Sequence, residues 1–428
     1  MEQSATSLGG SVTETLATLL APVDAELARR YPGDPGTRQP VHTVYVPAHD
    51  LTADTVRSWG ARALDALDEH APDAESFGQV LGLDGELAET VYARVRAKLE
   101  SEPVEDLRVD FEDGYRGRSA AEEDADAARA ARLLAEAHAD GSAPPGFGIR
   151  MKCMEAAVRE RGIRTLDIFL TALVRQGPPP AGLVLTLPKV TYPEQVSALD
   201  VLLSRFERTH QLPHGALGFE IQVETSQAVL GPDGTVTLAR MIDAARGRAR
   251  GLHYGTFDYS AALGVAAAHQ SSDHPAADHA KSVMQVAAAG TGVRLSDGSS
   301  NVLPVGGTPK VHEAWRLHYG LVRRALARAY WQGWDMHPAQ LPTRYAAVFA
   351  FHRELLPAAA SRLAAYANST PGQVLDEPAT ARALSAQLLR GLDCGALDIG
   401  EVARQSGLTR ADLEAFAAPG PAAGKPAD

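Results

Sequence analysis

Charged side chains in this sequence gather at the ends of short apolar runs. LRVDFED (107–113) closes on Asp110, Glu112 and Asp113, and FGIRMK (147–152) carries Arg150 and Lys152. GLVLTLPKV (182–190) reaches Lys189, LGFEIQVE (217–224) ends on Glu224, and GLHYGTFD (251–258) ends on Asp258. The set has a chemical reading. Two carboxylates from adjacent strands, Glu224 and Asp258, can hold one Mg²⁺, an ion that takes oxygen ligands and keeps waters for exchange with substrate. Mn²⁺ shares that preference. A 2-oxo acid or an enolate presents two oxygens to such an ion, and the planar fork of Arg150 can grip a carboxylate or carbonyl. Cation and guanidinium together would stabilise an enolate, the high-energy species of aldol and Claisen chemistry.

A plainer reading stands beside it. Each of these carboxylates can be a solvated or salt-bridged residue, and Arg150 can simply neutralise Glu112 or Asp113. Among the histidines, His49 follows HTVYVPA (42–48) and is the best placed to act as a base. His253 lies within its run and suits a hydrogen-bonded core residue; His337 suits ordering the chain after the last run. Cys153 has no paired base and reads as a small buried residue.

Charges at run ends act together only if one scaffold brings those ends to one face. Besides the five runs above there are HTVYVPA (42–48), GVRLSDG (292–298) and GWDMHP (333–338). All are short, rich in β-branched or aromatic residues and bounded by Gly or Pro, as buried parallel strands are. Between them lie stretches with helical spacing, such as 119–139 and 311–332, and Ser119 with Glu122 forms a capping box for the first. Strands alternating with helices predict an α/β chain folded as a (β/α)8 TIM barrel, whose active sites lie at the carboxyl ends of the strands. An open doubly wound sheet is the alternative, but no GxGxxG follows the first run and no GxxxxGK[ST] occurs.

The chain divides into an N-terminal helical segment (1–40), the barrel (41–340), a helical extension (341–416) and a tail (417–428). A helical insertion at 49–106 separates the first two strands and is expected near the barrel mouth. The extension is broken by NSTPGQVLDEP (368–378), and the Pro/Ala/Gly-rich tail is expected to be disordered. No internal repeat occurs.

With 428 residues, 45% hydrophobic and 22% charged, the chain can bury a sizeable core. A net charge of −12 provides no global field for a polyanion. The segment DIGEVARQSGLTRADLEAF (398–416) has the outline of a helix-turn-helix, which opens a regulatory, DNA-binding alternative. Its Arg404 and Arg410 stand against Glu401, Asp412 and Glu414, so a packed helical hairpin is the better reading and no nucleic-acid partner is expected. Two cysteines without a CxxC argue against a disulfide framework and fit a reducing cytoplasm. The N-terminus lacks the pattern of a signal peptide, and no apolar run reaches the ~18–20 residues that span a bilayer. A soluble cytoplasmic protein with no membrane partner is expected.

Taken in chain order, these segments resemble the HpcH/HpaI aldolase and citrate lyase β-subunit-like superfamily, the malyl-CoA and citramalyl-CoA lyase branch especially. The likeness covers 42–48 and 107–390. VYVPAHD is similar to the family's first strand, VDFEDGY to its Leu-Asp-Leu-Glu-Asp-Ala strand, and FGIRMK to the strand bearing its substrate arginine. VLTLPKV, IQVETSQAVL and GLHYGTFDYSAALGV resemble its Leu-Pro-Lys-Val, Ile-Glu-Thr and Gly-x-x-Asp-Leu segments; WDMHPAQL and GQVLDEPATARAL (372–384) resemble its last two.

The resemblance implies a barrel of the phosphoenolpyruvate/pyruvate-binding type and a divalent-metal-dependent carbon–carbon lyase or aldolase. Its substrate would be a 2-oxo acid or an acyl thioester such as an acyl-CoA. It implies Glu224 and Asp258 as ligands of Mg²⁺ or Mn²⁺, Arg150 as the substrate arginine, and Asp376 as an acid/base that reaches a neighbouring subunit. A homo-oligomer, trimer or hexamer, follows from that last role, although Asp376 before Glu-Pro also reads as an ordinary helix cap. Glu112 and Asp113 join the catalytic candidates, and Lys152, Lys189 and His49 the substrate-binding ones. The chain departs from the family at Ala48-His49-Asp50, at Lys152 and in the 49–106 insertion. A thioester hydrolase or malate-synthase-like condensing enzyme on the same site is the alternative activity, and a scaffold barrel without catalysis is a third reading.

Overall fold

Each apolar run becomes a strand buried on both faces. In HTVYVP, Val44 and Val46 join the hydrophobic core, whereas the Thr43 hydroxyl donates to Asp106 at 2.8 Å. In GFEIQV, Phe219, Ile221 and Val223 are fully buried apolar residues, while Glu220 and Gln222 face the other way. This period-two pattern sends apolar residues out against helices and polar ones into a lumen. The computed structural model describes residues 8–368 and 377–418.

Eight strands follow in order: β1 (His42–Pro47), β2 (Asp106–Asp110), β3 (Gly146–Arg150), β4 (Val184–Leu187), β5 (Gly218–Val223), β6 (Ala249–Tyr254), β7 (Arg294–Ser296) and β8 (Gly333–Asp335). Each from β1 to β6 pairs in parallel with the next, and β8 pairs with β1, setting His42 opposite Gly333. One parallel bridge, Ser296 to Gln332, joins β7 to the residue before β8. The ring is a TIM barrel, as the alternation of runs predicts.

The lumen is polar and its charges are paired. Arg108 donates to Asp106 at 2.8 and 3.0 Å and to Glu220 at 3.0 and 3.1 Å, and His253 Nε2 lies 3.0 Å from Glu220. Unpaired, any of these groups would be costly to bury. Gly148 makes the crossing possible: a Cβ there would lie 1.8 Å from the Val184 carbonyl oxygen and 3.3 Å from Arg108 Nη1.

Helices cover the outside. Ser119 and Glu122 form the expected capping box at the start of Ala120–Asp140. The insertion consists of helices Thr55–His70, Ala74–Leu81 and Gly85–Ser101, which pack against Thr308–Ala327 and Leu341–Ala367. The last two helices, Ile399–Ser406 and Arg410–Ala417, spend their charges internally. Glu401 pairs with Arg94 and Arg353, and Arg410 with Asp393 and Glu414. By contrast, helix Gly10–Arg30 has no buried residue. Among the described residues no helix is long and apolar enough to cross a membrane.

Candidate active site

The run 107–113 predicts a strand through Asp113, but β2 stops at Asp110. The Asp110 carboxylate accepts the backbone N–H groups of Glu112 (2.9 Å) and Gly114 (2.8 Å), and this folds the chain out of the sheet. Register sets Asp110 beside Arg150, the last residue of β3. Arg150 donates Nε and Nη2 to the two oxygens of Asp110, both at 2.7 Å, a bidentate pair. Its guanidinium also lies 4.8 Å from the centre of the Tyr45 ring. So held, Arg150 is buried with Nη1 turned toward Glu112 (3.7 Å) and Asp113 (4.0 Å).

Lys189 follows β4 and takes a left-handed backbone, φ +50°, uncommon for a residue with a side chain. Its N–H donates to Glu224 Oε1 at 2.7 Å. Its ammonium lies among three other carboxylates: Glu112 at 2.8 Å, Asp113 at 2.9 Å and Asp258 at 3.5 Å. Burial alone would lower this ammonium, but Glu112 and Asp113 hold it above its ordinary value.

Glu224 directly follows β5 and is 3% exposed. Gly255 lets it fit, because a Cβ there would lie 2.6 Å from Oε2. Burial pushes the Glu224 carboxyl up to about 7; Arg150 and Lys189 oppose the rise and Asp258 adds to it. Asp258 lies in the first turn of helix Thr256–Ala262, about half exposed. Burial and the hydrogen bond with Asp113 likewise push Glu112 up to about 7, against Arg150 and Lys189. Asp113 moves the other way: burial would raise it, but Glu112, Lys189 and Arg150 bring it below the ordinary value.

The donor set fits a hard divalent cation. Glu224 Oε2 and Asp258 Oδ1 have no hydrogen-bond partner among the described residues, and a buried carboxyl near 7 gains from an adjacent positive charge. No group of three or more His, Cys, Asp or Glu among the described residues could hold a metal. Glu224 and Asp258 offer two oxygen donors, a number Mg²⁺ accepts when water or substrate oxygens complete its shell.

The remaining predicted residues fall elsewhere. Lys152 Nζ donates to the Phe111 carbonyl at 2.6 Å, lies 3.5 Å from Glu123 and rests 5.5 Å from the Tyr115 ring centre. The His49 ring is 5.5 Å from that same ring, with Nε2 3.6 Å from Asp50. These two therefore gather around Tyr115, beside the cluster rather than within it. Asp376 lies outside the described residues. His337 Nδ1 accepts the Ala339 N–H at 3.2 Å, which orders the chain after β8.

Two neighbours of the cluster carry no charge and were not singled out by sequence. The Tyr45 hydroxyl and both amide atoms of Gln222 are buried with no protein partner among the described residues. Gln222 stands two residues before Glu224 on the same strand face, and the Tyr45 ring lies 4.6 Å from that of Trp334. The alternation with Val44, Val46, Ile221 and Val223 was the available signal.

A family model described as "Domain of unknown function (DUF6986)" matches residues 20–420. The chain belongs to this family. No curated protein matches it in sequence. Among solved structures it is similar to the Haloferax volcanii malate synthase lead(II) complex, at 14% identity over 87% of this chain and 90% of that one, with a TM-score of 0.48. It is also similar to an HpcH/HpaI aldolase/citrate lyase family protein from Burkholderia cenocepacia J2315, at 14% identity over 78% and 97%, TM-score 0.40. An HpcH/HpaI aldolase from Desulfitobacterium hafniense DCB-2 gives 14% identity over 74% and 94%, TM-score 0.38.

Proposed function

We propose that this protein makes or breaks a carbon–carbon bond next to a carbonyl, as a Mg²⁺-dependent lyase or aldolase acting on a 2-oxo acid or acyl thioester. One observation carries the reading: Arg150, fixed by Asp110, faces the same acidic cluster that Lys189 ties to Glu224 and Asp258. Glu224 and Asp258 would hold the ion, which when bound supplies positive charge to the oxygen of a developing enolate.

The chain's own residues divide the remaining work. Nη1 of Arg150 is the part of the guanidinium not given to Asp110, and it can receive a substrate carboxylate or carbonyl oxygen in competition with Glu112. Glu112, near 7, can accept a proton at neutral pH and return it. In the cleavage direction it takes the proton of the substrate hydroxyl, and that oxygen becomes a carbonyl. The carbon–carbon bond breaks, its electron pair passes to the fragment that becomes the enolate, and a proton delivered to carbon completes the turnover. Lys189 keeps Glu112 and Asp113 in place. Asp376 would be the second proton carrier of this proposal.

The test is release of pyruvate from 4-hydroxy-2-oxo acids, and of glyoxylate from 3-hydroxyacyl thioesters that carry a carboxylate on the hydroxyl carbon, with and without Mg²⁺, in native protein and in Glu224→Gln. Release that requires Mg²⁺ and falls at least about 100-fold in the variant is expected, since one group at the developing charge is typically worth that much. Release unaffected by the substitution would overturn the proposal.

A further inference from the structure

We propose that the amino-terminal face of the barrel carries an oxyanion-binding site, built on Arg250 and Arg294, for a small molecule bearing a carboxylate or phosphate. Arg250 is the second residue of β6 and Arg294 the first of β7, so both stand at the end of the barrel opposite Glu224 and Asp258. They line a cavity of about 500 Å³ between the strand starts and the segment after helix Gly10–Arg30. A smaller cavity of about 140 Å³ shares both arginines and runs inward to Arg108 and Glu220.

Arg250 is exposed and Arg294 half-buried. Elsewhere the buried arginines hold acids: Arg108 pairs with Asp106 and Glu220, Arg150 with Asp110, and Arg344 with Asp335. Arg248, two residues before Arg250, pairs with Asp200 and Glu207. Arg250 instead donates Nη1 to the Gly247 carbonyl at 2.8 Å. Arg294 donates Nη1 to the Arg38 carbonyl at 2.8 Å and Nη2 to the Thr37 carbonyl and hydroxyl. Neither has a carboxylate within ion-pair distance among the described residues.

The larger cavity contains one acid, Asp243, which already serves Arg29 (3.4 Å) and Arg30 (3.3 Å). Asp34, beside Arg294, is engaged by Arg390 at 3.1 Å. Burial moves both Arg250 and Arg294 below the ordinary guanidinium value, helped at Arg250 by the neighbouring Arg248 and opposed at Arg294 by Asp34 and Asp393. A guanidinium fork suits carboxylate and phosphate alike, and Ile242, Ala287 and Val293 give a short carbon skeleton an apolar wall.

The experiment is calorimetric titration of the full chain with inorganic phosphate, pyrophosphate and succinate at constant ionic strength. Native protein, Arg250→Gln and Arg294→Gln are compared. Saturable binding of at least one anion, weakened about tenfold or more in each variant, is expected for a lost charge-assisted contact. Binding of succinate alone assigns the site to carboxylates; binding of phosphate or pyrophosphate alone assigns it to phosphates. Because Arg294 also fastens residues 37–38, Arg250→Gln decides the matter should Arg294→Gln fail to fold. Absence of saturable binding by all three, or unchanged affinity in Arg250→Gln, overturns the proposal.

Discussion

The ammonium of Lys189 lies within 3.5 Å of Glu112, Asp113 and Asp258 while its own N–H holds Glu224. One side chain thus screens acids that would otherwise repel, and it stands next to the two proposed to bind metal. Removing it should leave more negative potential for an incoming cation. Lys189→Ala is therefore expected to bind Mg²⁺ about tenfold more tightly by calorimetric titration, since one unit charge at contact distance is worth about 4 kcal/mol before further screening. Weaker binding would mean that Lys189 organises the carboxylates rather than competing for them. At this scale the sequence was partly legible. Glu224, Asp258, Arg150 and Lys189 are visible as charges that close apolar runs. The hold of Asp110 on Arg150 was not, because it depends on the register of β2 against β3. Lys152 sits near Arg150 in sequence, yet its side chain turns to the Phe111 carbonyl and Tyr115. Tyr45 and Gln222 stayed hidden because an inward polar residue in a strand resembles any solvent-facing one.

Strands and helices were easier to read than the bonds between them. Eight runs bounded by Gly and Pro gave the barrel, and Ser119 with Glu122 marked where a helix begins. What sequence spacing cannot supply is which buried charge meets which, and Asp335 of β8 illustrates it. Its carboxylate accepts from Arg344 Nη2 at 2.9 Å and lies 3.1 Å from His318 Nε2 and 2.8 Å from His42 Nδ1. Burial alone would raise this carboxyl, but Arg344 and the two histidines hold it well below its ordinary value. A carboxyl depressed in the folded state adds stability that is complete above its unfolded pKa, about 4, and is lost as pH falls through the folded value. Asp335→Asn should destabilise the protein at pH 7 by about 3 kcal/mol, the usual result of stripping one partner from a buried ion cluster. The difference from native protein should narrow below pH about 4. Urea unfolding of both proteins between pH 3 and 7 measures this, and a gap that stays constant with pH would contradict it.

For the molecule as a whole, the alternation of strand and helix fixed the class of fold, and the resemblance of ordered segments pointed to barrels of one kind. The position of the chain's ends relative to the barrel was not legible, because it is set by tertiary packing. Helix Gly10–Arg30 is the clearest case: its Val12, Leu16, Leu19, Val23 and Leu27 follow helical spacing, yet all are exposed. Deleting residues 1–27 should shift the thermal midpoint by no more than about 2 °C, because exposed segments contribute little to stability. A larger fall in scanning calorimetry would place that helix in an interface. The barrel itself is unevenly joined. Between β7 and β8 the ring depends on the bridge of Ser296 to Gln332 and on the Asp297 N–H given to the Gln332 carbonyl at 2.8 Å, whereas β1 and β2 share four paired positions. A cylinder stitched this way breathes at its seam, and in heavy water the Asp297 amide should take up deuterium well before those of β2 do.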